Sequence, residues 1–326
     1  VRMALDQGGD ATKWVNQLRD VADDSPELRS LAGLVQADSG DPDVAAKGLE
    51  SVLLETDSDD EKIRILEKLA SLYSDKLNKP TRAITSYQKI LKLQPSRADV
   101  QQQLADLFQS RGSVEALVET LKNWLQSLAE GPDKVPVMAQ LAHAYGELGR
   151  PEDARATLDG AYELNRNMLS VNEPLAKLLQ AAGELERASE LQQWVVNQLR
   201  RDREKARLPS AATVAGDMLV AQQDFKKAQR FYRMALQADR GFAPAILGLG
   251  RSYAGSNDLT RAMAELEKVA GMSEAQASAA DRTAANIELG RAWLASGKGS
   301  HARTALNKAL QIDPGNKAAV ELLNRT

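Results

Sequence analysis

Four sets of residues in the sequence are of types that could do chemistry. Gly248-Leu249-Gly250, with Gly255 beyond, has glycines of the kind that let a backbone approach a dinucleotide pyrophosphate. That chemistry needs a preceding strand and a helix opening at the glycines, whereas Gly250 falls in the middle of a helical stripe, so packing explains it better. Gly297-Lys298-Gly299-Ser300 resembles the end of a phosphate loop, but the upstream glycine and the strand are missing, and a turn explains it. The two histidines, His143 and His301, have no second His or Cys at metal-ligand spacing, and the chain has no cysteine. Carboxylates cluster at Asp23-Asp24 and from Asp57 to Glu61, where they suit helix N-termini rather than acid–base work. The expectation is a protein that is not an enzyme, with no catalytic residue, no cofactor and no metal.

The remaining conspicuous side chains read as structure or surface. Trp14, Trp124, Trp194 and Trp293 fall on predicted core stripes. The run from Arg200 to Arg207 carries five cations and two anions. It reads first as a solvated helix extension and second as a docking knob for an acidic partner, since aromatics for base stacking are absent nearby. A net charge of −3 gives no reason to expect nucleic acid.

Helices are the elements that must position these residues. Leu66, Leu69, Ala70 and Tyr73 make one stripe; Ala83, Tyr87, Ile90 and Leu91 make the next. No segment sustains the two-residue alternation of a strand. Prolines punctuate the stripes: Pro42, Pro80 and Pro151 in tight turns, Pro26, Pro95 and Pro314 at helix ends. Pro136, Pro174, Pro209 and Pro244 are placed in first turns, where a missing N–H costs nothing. No stretch has the roughly 18 consecutive apolar residues of a membrane span, and no leader opens the chain. Val1 in place of Met suggests a fragment. The compartment stays open between cytoplasm and periplasm.

The stripes recur with a period of 34 residues. Leu289-Gly290, Trp293, Gly297, Ala302, Leu306, Ala309 and Pro314 are echoed by Leu249-Gly250, Tyr253, Asn257, Ala262, Leu266 and Val269. Further copies read Ala215-Gly216, Leu219, Gln223, Ala228, Tyr232, Ala235 and Leu141-Ala142, Tyr145, Gly149, Ala154, Leu158, Ala161. A unit of this size is one helical hairpin that cannot bury its own apolar face, so it must stack on neighbours. Small residues such as Ala154, Ala188, Ala228, Ala262 and Ala302 are expected where the two helices cross, because they let backbones approach.

These residues resemble the tetratricopeptide repeat family, whose pattern runs W-x-x-L-G-x-x-Y, then A, F, A and P. The resemblance implies an all-α, right-handed superhelical solenoid of antiparallel helix pairs with about eight repeats. Their starts fall near 25, 63, 98, 135, 169, 209, 243 and 283. Residues 1–24 then read as the second helix of an upstream repeat, and 317–326 as a capping helix. Long copies place extra residues at Ala129 to Lys134, Arg200 to Leu208 and Gly271 to Arg282.

The resemblance also implies a groove lined by the second, fifth, ninth, twelfth and thirteenth positions of each repeat. In the N-terminal half these are Arg64, Glu67, Ser71, Asp75, Asp99, Gln102, Asp106, Gln109 and Glu147, a polar, acidic set. In the C-terminal half they are Val220, Pro244, Leu247, Arg251, Ala254, Ile287, Arg291 and Leu294, an apolar strip with two arginines. The expected partner-binding residues are Leu247, Arg251, Ile287, Arg291, Leu294 and Val220, facing a protein or peptide that is apolar with acidic groups. The Lys/Asn carboxylate clamp of the family's chaperone-tail binders is absent: its positions hold Glu67, Lys68, Ser71, Gln102, Gln103, Asp106, Ala139, Gln140 and His143.

The function implied is a non-enzymatic scaffold binding a partner in the groove, within a bacterial assembly such as envelope, export, pilus or polarity machinery. The alternatives are a regulatory array of an enzyme whose catalytic domain lies outside this sequence, or a sensor of a peptide or small ligand.

Overall fold

A computed structural model describes residues 41–326. The expectations on residues 1–24, including Trp14, and on the first helix of the repeat starting near 25 lie outside the described residues. Every regular element among them is helical, with sixteen α-helices and one π-helical turn. The chain divides into two compact units, the first ending at Thr157 and the second beginning at Leu158.

The first unit holds α1 (Pro42–Glu55), α2 (Asp59–Ser71), α3 (Pro80–Leu93), α4 (Ala98–Ser110), α5 (Val114–Ser127) and α6 (Lys134–Glu147). The helix α7 (Pro151–Leu164) runs across the division. Proline at the first position opens α1, α3 and α7, where its fixed φ suits a helix start. The Ser58 hydroxyl accepts from the Glu61 N–H at the start of α2, whose first turn carries Asp59, Asp60 and Glu61. The carboxylates from Asp57 to Glu61 therefore sit at a helix N-terminus, where the macrodipole favours them. The long connection after α2 is built as the π-helical turn Leu72–Lys76 followed by Asn78 in the left-handed region at φ 48°.

The second unit holds α8 (Leu169–Ala181), α9 (Leu185–Arg201), α10 (Leu208–Ala221), α11 (Phe225–Ala238), α12 (Ala243–Gly255), α13 (Leu259–Ala270), α14 (Ala279–Ala295), α15 (Gly299–Ile312) and α16 (Lys317–Leu323). Helices pair as hairpins: α8 with α9, α10 with α11, α12 with α13, α14 with α15. Each second helix then packs on the first helix of the next hairpin. First helices also touch one another, α10 on α12 and α12 on α14, while second helices do not do so to a comparable extent. The closer spacing puts the first helices on the concave side of this unit.

The hairpin crossings explain both the alanines and the glycines. Ala188, Ala228, Ala262 and Ala302 are fully buried. Gly250 sits against Leu266, and Gly290 against Leu306, so close that an added Cβ would come within 2.7 Å and 2.6 Å of those side chains. The glycines that hinted at a nucleotide fingerprint are thus contact points. Fully burying one leucine such as Leu266 is worth ~1.5–3 kcal/mol, but only if the helix opposite yields the space.

Three expectations need correction. Pro174 lies inside α8 rather than in its first turn; the helix begins at Leu169, with the Asn172 amide donating to the Arg166 carbonyl behind that start. The charged stretch from Arg200 extends α9 only to Arg201; Arg203 then turns left-handed at φ 59° and stops the helix. The stretch up to Arg282 is not all insertion, because Ser278 caps α14 by accepting from the Asp281 N–H and the helix starts at Ala279.

Candidate functional site

The concave face of the second unit is built from the exposed sides of α10, α12 and α14. Its apolar strip is not open. Leu247 is 5% exposed, in a core cluster with Ala243, Ile246, Leu266 and Leu289. Ile287 is 8% exposed and packs with Leu306, Ala309 and Ala319, against Leu322 and Leu323 of α16. The physical reason is the direct contact between successive first helices, which fills the fifth position of each repeat, and α16 does the same at the last one. Val220 and Leu294 are half-buried. Arg251 and Arg291 remain exposed.

The two arginines do not stand alone. Arg251 Nε donates to Glu288 Oε1 across 3.3 Å, and Arg291 Nη1 lies 3.3 Å from both carboxylate oxygens of Glu288. The Glu288 side chain is the most covered of the three. It holds the guanidinium groups side by side, one from α12 and one from α14. Each guanidinium has five N–H donors in a fixed fork, so the cluster keeps donors for a further acceptor, and its net charge is one positive.

Next to them, on α10, stands Asp217. Its carboxylate Oδ1 accepts from the Tyr232 hydroxyl at 2.6 Å. Tyr232 itself is 1% exposed. Its ring lies against Gly216 and Gly248, where an added Cβ would come to 2.6 Å and 2.3 Å. Asp217 is open to water but set low among neighbouring helices. That setting pushes its carboxyl above the usual range, while the Tyr232 bond and the nearby Arg251 charge pull it down. The Tyr232 phenol is pushed upward, first by burial and then by the Asp217 charge.

Sequence reasoning missed Glu288 and Asp217. Asp217 was within reach, since it occupies the ninth position of its repeat, the same place as Arg251 and Arg291. Glu288 sits at the sixth position, which the inner-face rule does not include. The face is therefore polar, alternating in sign, rather than apolar with two arginines.

In the first unit the corresponding residues form a separate polar set. Gln140 on α6 donates to Gln102 on α4 at 3.2 Å, and Gln102 donates to Asp106 at 2.7 Å. Arg97 pairs with Glu67 and Asp99, each at 2.6 Å, which holds the Asp99 carboxyl below the usual range. Ser71 donates to Asp75 at 3.1 Å. Arg64, Gln109 and Glu147 are exposed. His143 is exposed, with Nδ1 3.7 Å from Glu147.

Among the described residues, no group of three or more His, Cys, Asp or Glu is arranged to hold a metal ion. His301 stacks on Trp293 with ring centroids 4.9 Å apart, and Lys298 lies over the same indole at 5.0 Å. The residues that resembled a phosphate loop are thus a hairpin turn, with Gly297 left-handed at φ 72°. Trp124 is buried, while Trp194 and Trp293 are half-buried. No described helix is long and apolar enough to cross a membrane.

Family profiles described as Tetratricopeptide repeat match residues 33–201, 219–272 and 247–317. No curated protein matches the chain. Among solved structures, the chain is similar to the C-terminal part of a TPR repeat-containing protein from Cytophaga hutchinsonii. The identity is 14%, with 80% of this chain and 99% of the other covered, at a TM-score of 0.57. It also has likeness to PilF of Pseudomonas aeruginosa, at 14% identity, 70% and 97% coverage and a TM-score of 0.48. A third is MamA of Desulfovibrio magneticus, at 18% identity, 58% and 99% coverage and a TM-score of 0.48. At 14% identity the likeness to the Cytophaga hutchinsonii protein is one of fold alone.

Proposed function

The chain belongs to the tetratricopeptide repeat family, and from that premise we propose that it is a non-enzymatic scaffold whose second unit holds a partner protein on its concave face. The family's fold is in general a non-catalytic platform for protein interaction, and its partners are proteins. The observation that carries the finer reading is the Arg251–Glu288–Arg291 cluster. Two guanidinium groups from different hairpins are fixed in advance by one carboxylate, so binding orders little that was free. The chemistry fits a carboxylate on the partner, held by charge-assisted hydrogen bonds. Val220 and Leu294, half-buried at the edge, add apolar contact; Leu247 and Ile287 support the floor from below. The assembly served is, on the family resemblance alone, a bacterial one.

The test is site-specific cross-linking in the source organism. A photoreactive residue in place of Leu294 is expected to capture a defined partner, and the same residue in place of exposed Asn307 on α15 is not. Equal capture at both positions, or none at Leu294, overturns the reading.

A further inference from the structure

The opposite side of the second unit carries a second feature, independent of the concave face. Helix α11 has four cations, Lys226, Lys227, Arg230 and Arg233, and no carboxylate among its residues. Its buried face is Ala228, Tyr232 and Ala235, so the cations lie on the outer side. Lys226, Arg230 and Arg233 follow one another at four- and three-residue spacing, a single stripe about 10 Å long.

This arrangement runs against the helix's own interest. Like charges at these spacings repel. Lys226 and Lys227 occupy the first turn, where the macrodipole favours carboxylates. Helices α2 and α7, by contrast, open with acids, and Lys268 on α13 pairs with Glu265 three residues away. On α11, Lys227 has the capping Asp224 and Arg233 donates to the Tyr253 hydroxyl. Lys226 and Arg230 have no carboxylate within ion-pair distance among the described residues.

We propose that the outer face of α11 is a second docking surface, and that its occupant is an acidic helical segment of a protein. A helix with Glu or Asp at matching four- and three-residue spacing lies along the Lys226–Arg230–Arg233 stripe with each charge opposed. Nucleic acid is disfavoured because no aromatic side chain is exposed on this helix for stacking. An inserted membrane contact is disfavoured because none of the exposed large apolar residues, Val44, Leu54, Leu93, Leu164 and Val320, belongs to it.

The probe is a labelled twenty-residue helical peptide with glutamates at that spacing, titrated by fluorescence anisotropy at low salt. The expected result is binding to the wild-type protein and a loss of at least tenfold in Lys226→Glu/Arg230→Glu. A peptide with lysines in place of the glutamates is expected to prefer that variant. Arg251→Glu/Arg291→Glu is expected to bind the acidic peptide as the wild type does, which separates this surface from the concave one. Circular dichroism establishes that both variants are folded, and Lys226→Gln/Arg230→Gln serves as the milder pair. Equal affinity of the wild type and the α11 variant overturns the proposal. So does loss of binding in the Arg251/Arg291 variant, or tighter binding of duplex DNA or phosphatidylserine vesicles than of the peptide.

Discussion

The Tyr232 hydroxyl donates to the Asp217 carboxylate across 2.6 Å, joining a buried ring on a second helix to an open acid on the concave face. The ring is held by two glycines from successive first helices, Gly216 and Gly248. One tyrosine thereby ties the stacking of two hairpins to the position of a charge beside Arg251.

Substitution at the glycines tests the stacking. Gly248→Ala places a methyl group 2.3 Å from the Tyr232 ring, and a buried ring has nowhere to go. The expected cost is about 1–3 kcal/mol, read from urea denaturation. Gly146→Ala on α6 is the control: nothing lies within 4 Å of the added carbon. There the helix gains about 0.5–1 kcal/mol. Equal effects at the two positions would refute the contact.

Removing only the hydroxyl tests the bond. Tyr232→Phe keeps the ring between the glycines and loses the donor to Asp217. A cost of about 1 kcal/mol is expected, with the far-ultraviolet spectrum unchanged. A variant as stable as the wild type would show that water replaces the tyrosine without loss.

The titration of Asp217 gives a pH dependence of known sign. Its folded-state pKa is raised, chiefly by desolvation, so ionisation of this group opposes folding. The penalty is fully present above the folded pKa and vanishes below the unfolded value of about 3.9. Asp217→Asn keeps an acceptor for Tyr232 and removes the penalty. The variant is therefore expected to be more stable than the wild type at pH 7, with the gap closing as the pH falls below about 3.9. Asp43, Asp99 and Asp224, whose carboxyls are lowered by cationic neighbours, titrate in both proteins and cancel in the difference. A gap that stays constant across the range would contradict this assignment.

Neutralising Glu288 tests the cluster. Glu288→Gln raises its net charge from one positive to two and frees the donors now spent on the carboxylate. Affinity for the partner is expected to fall several-fold despite the added charge, because the guanidinium groups are no longer held side by side before binding. A rise in affinity at low salt would mean that charge alone, and not their fixation by Glu288, governs the site.

Much of the fold was legible because the repeat fixes local contacts. Ala262 recurs at its offset because the helices cross there, and Gly250 because Leu266 needs the space; both are nearest-neighbour facts that a periodic sequence records. The concave face was less legible. Leu247 and Ile287 obey the inner-position rule, yet whether such a position is open depends on how closely the next first helix packs. That distance is set by side chains on other repeats. Glu288 escaped because its role lies in pairing with Arg251, thirty-seven residues away. Pro174 was misplaced because helix α8 begins five residues ahead of it, at Leu169, and its composition does not mark that boundary.

The most direct test of the scaffold reading is the affinity of the partner captured at Leu294 for the wild type and for Arg251→Glu/Arg291→Glu, measured by calorimetry. The account predicts a loss of a hundredfold or more with helicity unchanged. Equal affinity in a folded variant would contradict it.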